Sequence, residues 1–323
     1  MVRNVKKGIL RFPAVALLAA LACQIPGNVV AGAWTLPRNH VWCKVAVLGQ
    51  TTDEEYVGAS GSGRGPDPAR VYNVGNRARY RFNGKYRSRA LFFDLFYGAT
   101  DRIDVGLQLP FFRQEYQDTP LLTGFGEPRR ATGFGDFRGF LKVNLLNLPA
   151  VGTLTLGFKA PSGEFVNEDG LIPVGEGQWD FDAIVQMGRS FWPAPFYVNG
   201  DFGYRLRLRN AEIDRDPGDE WIFLAEAGMQ LRRSVLVGIK IHGIRGKAAT
   251  VFGARIQSDI KKISYISPVI SLGPFRGFTL ETAMNISVHG RNYPAGWMAV
   301  VGLSYQGNAF PREFDFGARR TVR

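Results

Sequence analysis

Residues 196–209 read FYVNGDFGYRLRLR, in which polar and apolar side chains largely alternate. One parity carries the polar and charged side chains, which are Asn199, Asp201, Arg205, Arg207 and Arg209. The other parity carries large apolar side chains, which are Val198, Phe202, Tyr204, Leu206 and Leu208. A period of two predicts a β-strand with two different faces. A soluble sandwich and a membrane barrel both produce this alternation, so the stretch alone does not show which face is inside.

The composition excludes a helical membrane protein. The 323 residues include 39 Gly and 24 Phe, with aromatics at 13%, and no run of about 18 apolar residues could cross a bilayer as a helix. Period-two patterns instead predict twelve strands. They lie at residues 38–50, 86–98, 102–117, 134–146, 151–160, 178–190, 196–208, 220–231, 234–244, 258–272, 277–289 and 296–306.

The connections between these strands alternate in length. Those at 99–101, 147–150, 191–195, 232–233 and 273–276 are short, whereas the others are mostly longer and rich in Gly, Pro and charge. Short turns at one end, long loops at the other and an even number of strands are typical of outer-membrane barrels. We therefore expect an all-β fold, an antiparallel transmembrane β-barrel of about twelve strands with short periplasmic turns and long extracellular loops.

Aromatic residues at the strand ends favour a membrane barrel over a soluble sandwich. Trp179, Trp221 and Trp297 stand at the starts of strands that follow long loops, and all three share the apolar parity. Residues at the opposite strand ends are also aromatic, namely Phe196, Phe278 and Tyr305. Two rows of aromatic residues are what the two membrane interfaces require. The apolar parity is then expected to face lipid.

The polar parity is in turn expected to line a narrow lumen, because twelve strands lie between a side-chain-filled barrel and a wide pore. The charged candidates for the lumen wall or solute path are Asp104, Asp136, Arg138, Lys142, Lys159, Asp180, Asp182, Asp201, Arg205, Arg207, Glu226, Lys240 and Glu281, with Gln186 and His242 beside them. Both signs of charge occur in similar number. The wall is either a permeation path with a transverse field or a self-neutralising set of salt bridges.

The termini flank the predicted barrel. A basic start, an apolar core at 14–22 and Ala31-Gly32-Ala33 predict a secretory signal peptide over residues 1–33. The barrel would then occupy 34–306, and 307–323 would form a basic C-terminal tail that either extends into the periplasm or folds back as a plug. Cys43 would be the one cysteine left after cleavage, so no internal disulfide is expected.

The chain carries a net charge of +12 and has a pI of about 9.9. An exported chain rarely meets nucleic acid, so we expect no nucleic-acid partner, and anionic outer-membrane lipids are the nearer match. The basic, aromatic stretch 77–89 would lie at the outer surface, where a solvated or lipopolysaccharide-binding rim is favoured over a solute-attracting mouth. The scattered residues His40, His242 and His289 predict no metal site, and no cofactor is expected.

Four segments carry a family resemblance. They are GFGDF at 133–137, GFKAPSGE at 157–164, VGEGQWD at 174–180 and VNGDFGYR at 198–205. In order and spacing they resemble the outer-membrane proteins of the "meta-pathway of phenol degradation" family over about residues 88–306. The resemblance implies a transporter-like barrel linked to uptake of aromatic or other hydrophobic compounds. From the residues alone, the same glycines and Pro161 read as strand terminators.

These observations predict a bacterial outer-membrane channel for passive uptake of small, aromatic or hydrophobic solutes. A general polar-solute porin and a closed barrel with a structural or partner-docking role are the alternatives. Barrel-assembly machinery is an expected partner, and the oligomeric state is left open. No enzyme is expected, because Ser287 and His289 share lumen parity without a third catalytic group.

Overall fold

The computed structural model describes residues 32–62, 69–119, 126–165 and 173–309. Residues 1–31 of the expected signal peptide and residues 310–323 of the expected tail lie outside the described part. Gly32 and Ala33 belong to the described part, as do the last residues of the predicted barrel.

Twelve antiparallel strands form a closed barrel. We number them β1 His40–Thr52, β2 Lys85–Thr100, β3 Ile103–Gln117, β4 Arg129–Phe134 with Phe137–Leu146, β5 Val151–Ala160, β6 Asp180–Ser190, β7 Phe196–Arg207, β8 Glu220–Arg232, β9 Val235–Gly246, β10 Lys262–Phe275, β11 Phe278–Arg291 and β12 Trp297–Asn308. Each strand pairs with its neighbour along the chain, and β1 also pairs with β12 in the register Val45↔Leu303. The predicted fold class and strand count are therefore confirmed.

The exposure of the side chains shows which face of the barrel is outside. Large apolar side chains are exposed on the outer face, with Val185 at 55% and Phe202 at 58%. The inner face instead buries polar groups, and Asp104, Asp180 and Ser267 are each 1% exposed. This arrangement is inverted relative to a soluble protein and fits an apolar lipid around a closed sheet. In the part of the chain that the structure describes, no helix has the length and apolar character needed to span a membrane.

The two ends of the barrel differ as the sequence predicts. We call the end with the short connections 101–102, 147–150, 191–195, 233–234 and 276–277 the turn end, and the opposite end the loop end. The loops at the loop end are partly ordered. One small sheet joins Glu54–Tyr56 to Arg77–Arg79 and Tyr293–Pro294, and a second joins Arg215–Asp216, Ala249–Val251 and Ala254–Ile256. Two 3-10 turns, Arg81–Asn83 and Gln257–Asp259, complete these loops.

Strand β4 differs from its prediction. It begins at Arg129 rather than at residue 134, and it is interrupted at Gly135 and Asp136. At the interruption the Gly135 N–H still donates to the Pro110 carbonyl of β3 at 2.8 Å, and the Asp136 carboxylate accepts hydrogen bonds from backbone N–H groups of a neighbouring loop. Both segments of β4 pair with β3, so the barrel stays closed at this point.

Strand β7, which contains most of the stretch 196–209, now has a direction. Phe202 is 58% exposed and Leu206 is 45% exposed on the outer face. Asn199 is 5% exposed and Arg207 is 6% exposed on the inner face. The charged parity therefore lies inside the barrel and the apolar parity lies outside.

Candidate functional site in the barrel lumen

Charged side chains of β4 to β8 form a connected group on the inner wall at the loop end. We call it the loop-end network, and its members are Asp136, Arg138, Lys159, Glu176, Asp180, Asp182, Arg205, Arg207 and Glu220. Eight come from strands or the β4 interruption, and Glu176 comes from the loop between β5 and β6. Four cations face five carboxylates, so the group is close to neutral.

Lys159 is the most enclosed cation of the network. Its ammonium lies 3.0 Å from Asp180 Oδ2 and 3.3 Å from Asp136 Oδ2, and it also contacts the Glu176 carboxylate. The Lys159 side chain is 2% exposed, and those of Asp136 and Asp180 are 4% and 1% exposed. Ions this deeply desolvated are tolerated only because partners surround them.

Three arginines extend the network along the wall. Arg207 donates to Glu176 Oε1 at 2.7 Å and to Glu220 Oε1 at 3.0 Å. Arg205 donates to Asp182 through Nε at 2.7 Å and Nη2 at 3.3 Å, and its Nη1 reaches Glu220 at 3.2 Å. Arg138 adds a 3.3 Å contact to Asp182 from β4. Paired donors of this kind hold a planar guanidinium in one orientation, so the wall is fixed in position.

The four family-like segments of the sequence meet at this network. Asp136 of the first segment accepts hydrogen bonds from the backbone N–H of Gly163 at 3.0 Å and of Glu176 at 2.9 Å. Gly163 and Gly175 approach so closely that a Cβ on Gly175 would lie 2.5 Å from the Gly163 carbonyl carbon. The glycines therefore permit backbone contact between two loop segments. These glycines therefore do more than terminate strands, which is the role that the sequence alone predicted for them.

Glu176 lies in a loop and holds a carboxylate between two cations. The Glu176 side chain is 44% exposed, and the charges of Arg207 and Lys159 beside it hold the pKa of Glu176 below its usual range. Lys261, in the loop before β10, has a pKa lowered by burial, although Glu176 opposes the shift. Ion pairs therefore connect the loop that contains Glu176 to the barrel wall at the loop end.

A second, looser set of charges lies on β1, β8, β9 and β11. Lys44 contacts Glu281 Oε1 at 2.7 Å, and Lys240 lies 3.8 Å from Glu281 Oε2 and 3.9 Å from Glu226 Oε1. Tyr197 donates a 2.6 Å hydrogen bond to Glu226. Lys44 and Glu281 stand on strands separated by β12, so their contact runs across the inner surface rather than along a ladder.

Residues before β1 form a further inner element. We call Gly32–Leu36 the strap; it runs against the inner wall near the turn end. Ala33 donates its backbone N–H to Asn199 Oδ1 at 3.0 Å, and Leu36 donates to the Asp104 carboxylate at 3.1 Å. Ala33 and Leu36 are both fully buried. Gly32 and Ala33 of the strap belong to the predicted Ala31-Gly32-Ala33 cleavage site, and no period or motif marks residues 34–36 as lying inside the barrel.

Three predicted lumen residues that have no ion-pair partner within 4 Å among the described residues lie around the strap. Lys142 donates to the backbone carbonyl of Trp34 at 2.7 Å and to that of Gly32. Asp104 caps Leu36, as described above. Asp201 accepts from Asn199 Nδ2 and Gln186 Nε2, each at 3.1 Å. Asp104 and Lys142 therefore bind backbone groups of the strap, and Asp201 binds two side-chain amides. The sequence had predicted these three residues only as part of the lumen wall.

The Trp34 ring is the largest group of the strap. Its edge approaches the Tyr197 ring, with the two centroids 6.2 Å apart. It also lies over Gly188 of β6, where an added Cβ would come within 2.7 Å of the indole. The strap therefore narrows the lumen between β3 and β7, and only a glycine at position 188 leaves space for it.

Aromatic side chains occupy the inner face of β1 to β4. The sequence alone did not predict them there. Phe96 stacks on Phe140 at 5.8 Å and contacts Trp42 at 5.9 Å. Phe92 meets Phe112 edge to face at 5.7 Å, closer to the loop end. These five residues share the inward parity with Lys44, Asp104 and Lys142. We call them the inner aromatic wall, and it continues at the loop end with Tyr116 packed on Tyr80 at 5.4 Å.

The remaining inner sector, on β9 to β11, carries hydroxyl, amide and imidazole side chains beside Lys240 and Glu281. His242 stacks on Tyr265 at 5.3 Å and shares a 3.0 Å hydrogen bond with Ser267 Oγ, which donates to Asn285. The lumen thus has an aromatic sector, a charged sector and a hydroxyl-rich sector in order around the barrel. Among the described residues, no group of His, Cys, Asp and Glu is placed to hold a metal ion.

The six predicted girdle residues lie on the outer face at the strand ends. Trp179, Trp221 and Trp297 are 45%, 43% and 58% exposed at the loop end, and Phe196 and Phe278 are 41% and 47% exposed at the turn end. Tyr305 packs against Phe278 with ring centroids 5.0 Å apart. Their placement suits two membrane interfaces.

The family model described as "Putative MetA-pathway of phenol degradation" matches residues 62–302, which is most of the barrel. The chain belongs to this family. The MetA-pathway match includes all four motif segments and so confirms the resemblance drawn from them. No curated protein sequence matches the chain.

A solved outer-membrane channel shares the fold of this MetA-pathway member, and other solved structures are less similar. The COG4313 outer membrane channel from Pseudomonas putida F1 is 15% identical, with a TM-score of 0.66 over 88% of this chain and 100% of that one. The Ralstonia pickettii toluene transporter TbuX is 10% identical, with a TM-score of 0.41 over 84% of this chain and 90% of that one. The translocator domain of the autotransporter NalP from Neisseria meningitidis is 9% identical, with a TM-score of 0.44 over 87% and 90% of the two chains.

Proposed function

We propose that this protein is an outer-membrane channel for passive entry of small aromatic or other hydrophobic solutes. Its loop end would face outward and its turn end the periplasm, after export directed by residues 1–33 and insertion by the barrel-assembly machinery. Membrane lipids and lipopolysaccharide would surround its apolar face. The inner aromatic wall is the observation that carries the solute class. The matched MetA-pathway family and the names of the channel and transporter structures support the same class.

The inner aromatic wall offers a solute a series of weak contacts. A contact between an aromatic solute and one ring of the wall adds about 0.5–1.5 kcal/mol beyond the burial of apolar area. Phe92 with Phe112, and Phe96 with Phe140, provide two such steps at different heights of the lumen. Several weak sites favour passage over trapping, because a solute has to leave as readily as it enters.

The loop-end network plays a different part in this proposal. Its cations and carboxylates satisfy one another, so they would act mainly as a rigid wall and leave the aromatic sector as the path. The strap narrows the turn end and would limit passage to small solutes. A general polar-solute porin would instead need the charges to be available, and a closed structural barrel would need no path.

Uptake of labelled toluene by cells with an intact lipopolysaccharide layer tests the proposal, because this layer is the barrier to hydrophobic solutes. Cells making Phe96→Ser protein should take up toluene several-fold more slowly than cells making the unaltered chain. Phe93→Ser is the matched control, since Phe93 is exposed on the outer face of the same strand. Heat-modifiable migration on gels checks that both variants form barrels.

Two results would overturn the aromatic path. Equal toluene uptake in Phe96→Ser and unaltered cells would remove the role of the inner aromatic wall. A large ion conductance of the purified protein in planar bilayers, together with that equality, would establish the polar-solute porin. Absence of both conductance and uptake would favour a closed barrel.

A further inference from the structure

The outer wall of β2 and β3 carries two arginines directly opposite each other. Arg89 and Arg113 are cross-strand partners in the antiparallel register, and both side chains are exposed. Like charges in directly opposed positions repel each other and destabilise a sheet. A pair of this kind is stabilised when an anion lies between the two guanidinium groups.

The described part of the chain provides no such anion. Within the described ranges, no carboxylate lies at ion-pair distance from Arg89 or Arg113. In the next row toward the loop end, Arg87 and Arg130 share the single carboxylate of Glu115, at 2.6 Å and 2.9 Å. Glu115 is thereby occupied on both oxygens. The outer wall here presents more positive charge than the described chain neutralises.

An apolar row lies directly below the arginines, on the side toward the membrane centre. Leu91 pairs in register with Phe111, and Phe111 pairs with Phe134. The Phe111 and Phe134 rings are in edge contact at 5.3 Å, and Phe134 is 64% exposed. A ligand that fits this surface has anionic groups at the level of the arginines and hydrocarbon chains two residues further along each strand, toward the membrane centre.

Elsewhere at the loop end, tryptophans occupy the outer face at this height. Trp179 stands directly before β6, Trp221 is the second residue of β8, and Trp297 is the first residue of β12. Such residues anchor any interface without selecting a headgroup. On strands β2 to β4 arginines stand where those strands have tryptophans.

We propose that Arg89 and Arg113, supported by Arg87 and Arg130, form a binding site for a phosphate group of a phosphorylated glycolipid in the outer leaflet. Guanidinium groups bind phosphate oxygens through paired hydrogen bonds. The acyl chains would lie on Leu91, Phe111 and Phe134. The site rests on the proposed outer-membrane placement, but it does not depend on what passes through the lumen.

The test measures lipopolysaccharide that stays with the full-length protein purified in mild detergent. The unaltered protein should retain about one lipopolysaccharide molecule per barrel by native mass spectrometry. Arg89→Gln with Arg113→Gln should weaken retention about tenfold or more, because two charge-assisted contacts are lost. Arg89→Lys with Arg113→Lys should retain part of the binding, since it keeps the charge but not the paired geometry.

A matched control removes the same charge at the opposite end. Arg232→Gln with Arg233→Gln should retain lipopolysaccharide as the unaltered protein does. Added inorganic phosphate and dephosphorylated lipid A distinguish the possible ligands. If inorganic phosphate displaces lipopolysaccharide completely at millimolar concentration, or if dephosphorylated lipid A binds equally well, the glycolipid phosphate site is wrong.

Toluene uptake separates this proposal from the proposed function. The Arg89→Gln, Arg113→Gln protein should still transport toluene when it migrates as a folded barrel. Retained lipopolysaccharide in that variant would overturn the binding site alone. Unimpaired uptake in Phe96→Ser cells, with lipopolysaccharide binding intact, would overturn the aromatic path alone.

Discussion

Replacing Lys159 with methionine removes the cation at the centre of the loop-end network. Lys159 lies within ion-pair distance of Asp136, Asp180 and Glu176, and its side chain is 2% exposed. Removing one partner of a buried ion pair costs about 3–5 kcal/mol, because the remaining charge stays desolvated. Methionine keeps most of the side-chain volume, so the loss reports charge rather than a cavity.

The lower part of that range is expected here. Arg207 still reaches Glu176 at 2.7 Å and Asp180 at 3.6 Å, and Asp136 keeps its two backbone donors. We therefore expect Lys159→Met to lower the free energy of unfolding by about 3 kcal/mol. Adding Asp180→Asn should recover part of this loss, since it removes one uncompensated carboxylate.

Reversible guanidinium unfolding of the barrel in lipid vesicles, followed by tryptophan fluorescence, gives the free energy. Arg255→Met, at an exposed loop position, is the control and should change stability by less than about 0.5 kcal/mol. A loss below about 1 kcal/mol for Lys159→Met would refute the reasoning. It would mean that water or a mobile loop compensates the three carboxylates.

Three further predictions concern the strap, the loops and the outer face. Gly188→Val should displace Trp34, because a Cβ there comes within 2.7 Å of the indole, and it should raise single-channel conductance; Gly49→Val, with open space around it, should not. Hydrogen bonds from Tyr204, the Arg207 backbone and Lys247 outweigh burial and lower the pKa of Asp219 from 3.8. Its contribution to stability should be complete above pH 3.8 and lost as pH falls through the lowered value, so acid unfolding should be less steep in Asp219→Asn. Cys43 pairs with Leu95 and Tyr305 of the outer face, so a lipid-soluble maleimide should label it faster than a membrane-impermeant one.

The strand pattern could be predicted because the two faces of the barrel wall contact different surroundings. Lipid outside and polar groups inside impose a strict alternation on β5, β7 and β11, and the loop lengths separate the two ends. The inward parity of Lys159, Asp180 and Arg207 follows from the same alternation. Their mutual pairing requires the register of three strands and a loop, which no local pattern encodes.

Other features escaped prediction for stated physical reasons. On β2 the run Leu91-Phe92-Phe93 is apolar on both faces, so the alternation that would mark Phe92 as inward is hidden. The strap is held by side chains of three distant strands, and residues 34–36 have no pattern of their own. The opposition of Arg89 and Arg113 is likewise a property of pairing, since 24 residues separate them along the chain.

The strap constrains how the barrel can be built. It precedes β1, yet its residues Trp34 and Leu36 are bound by Lys142 on β4 and Asp104 on β3, while β1 also pairs with β12. A chain end that is enclosed by a closed cylinder has to be in place before the cylinder shuts, or else be threaded in afterwards. An assembly order in which β1 pairs with β12 last meets this requirement, because the residues before β1 are then inside before the barrel closes.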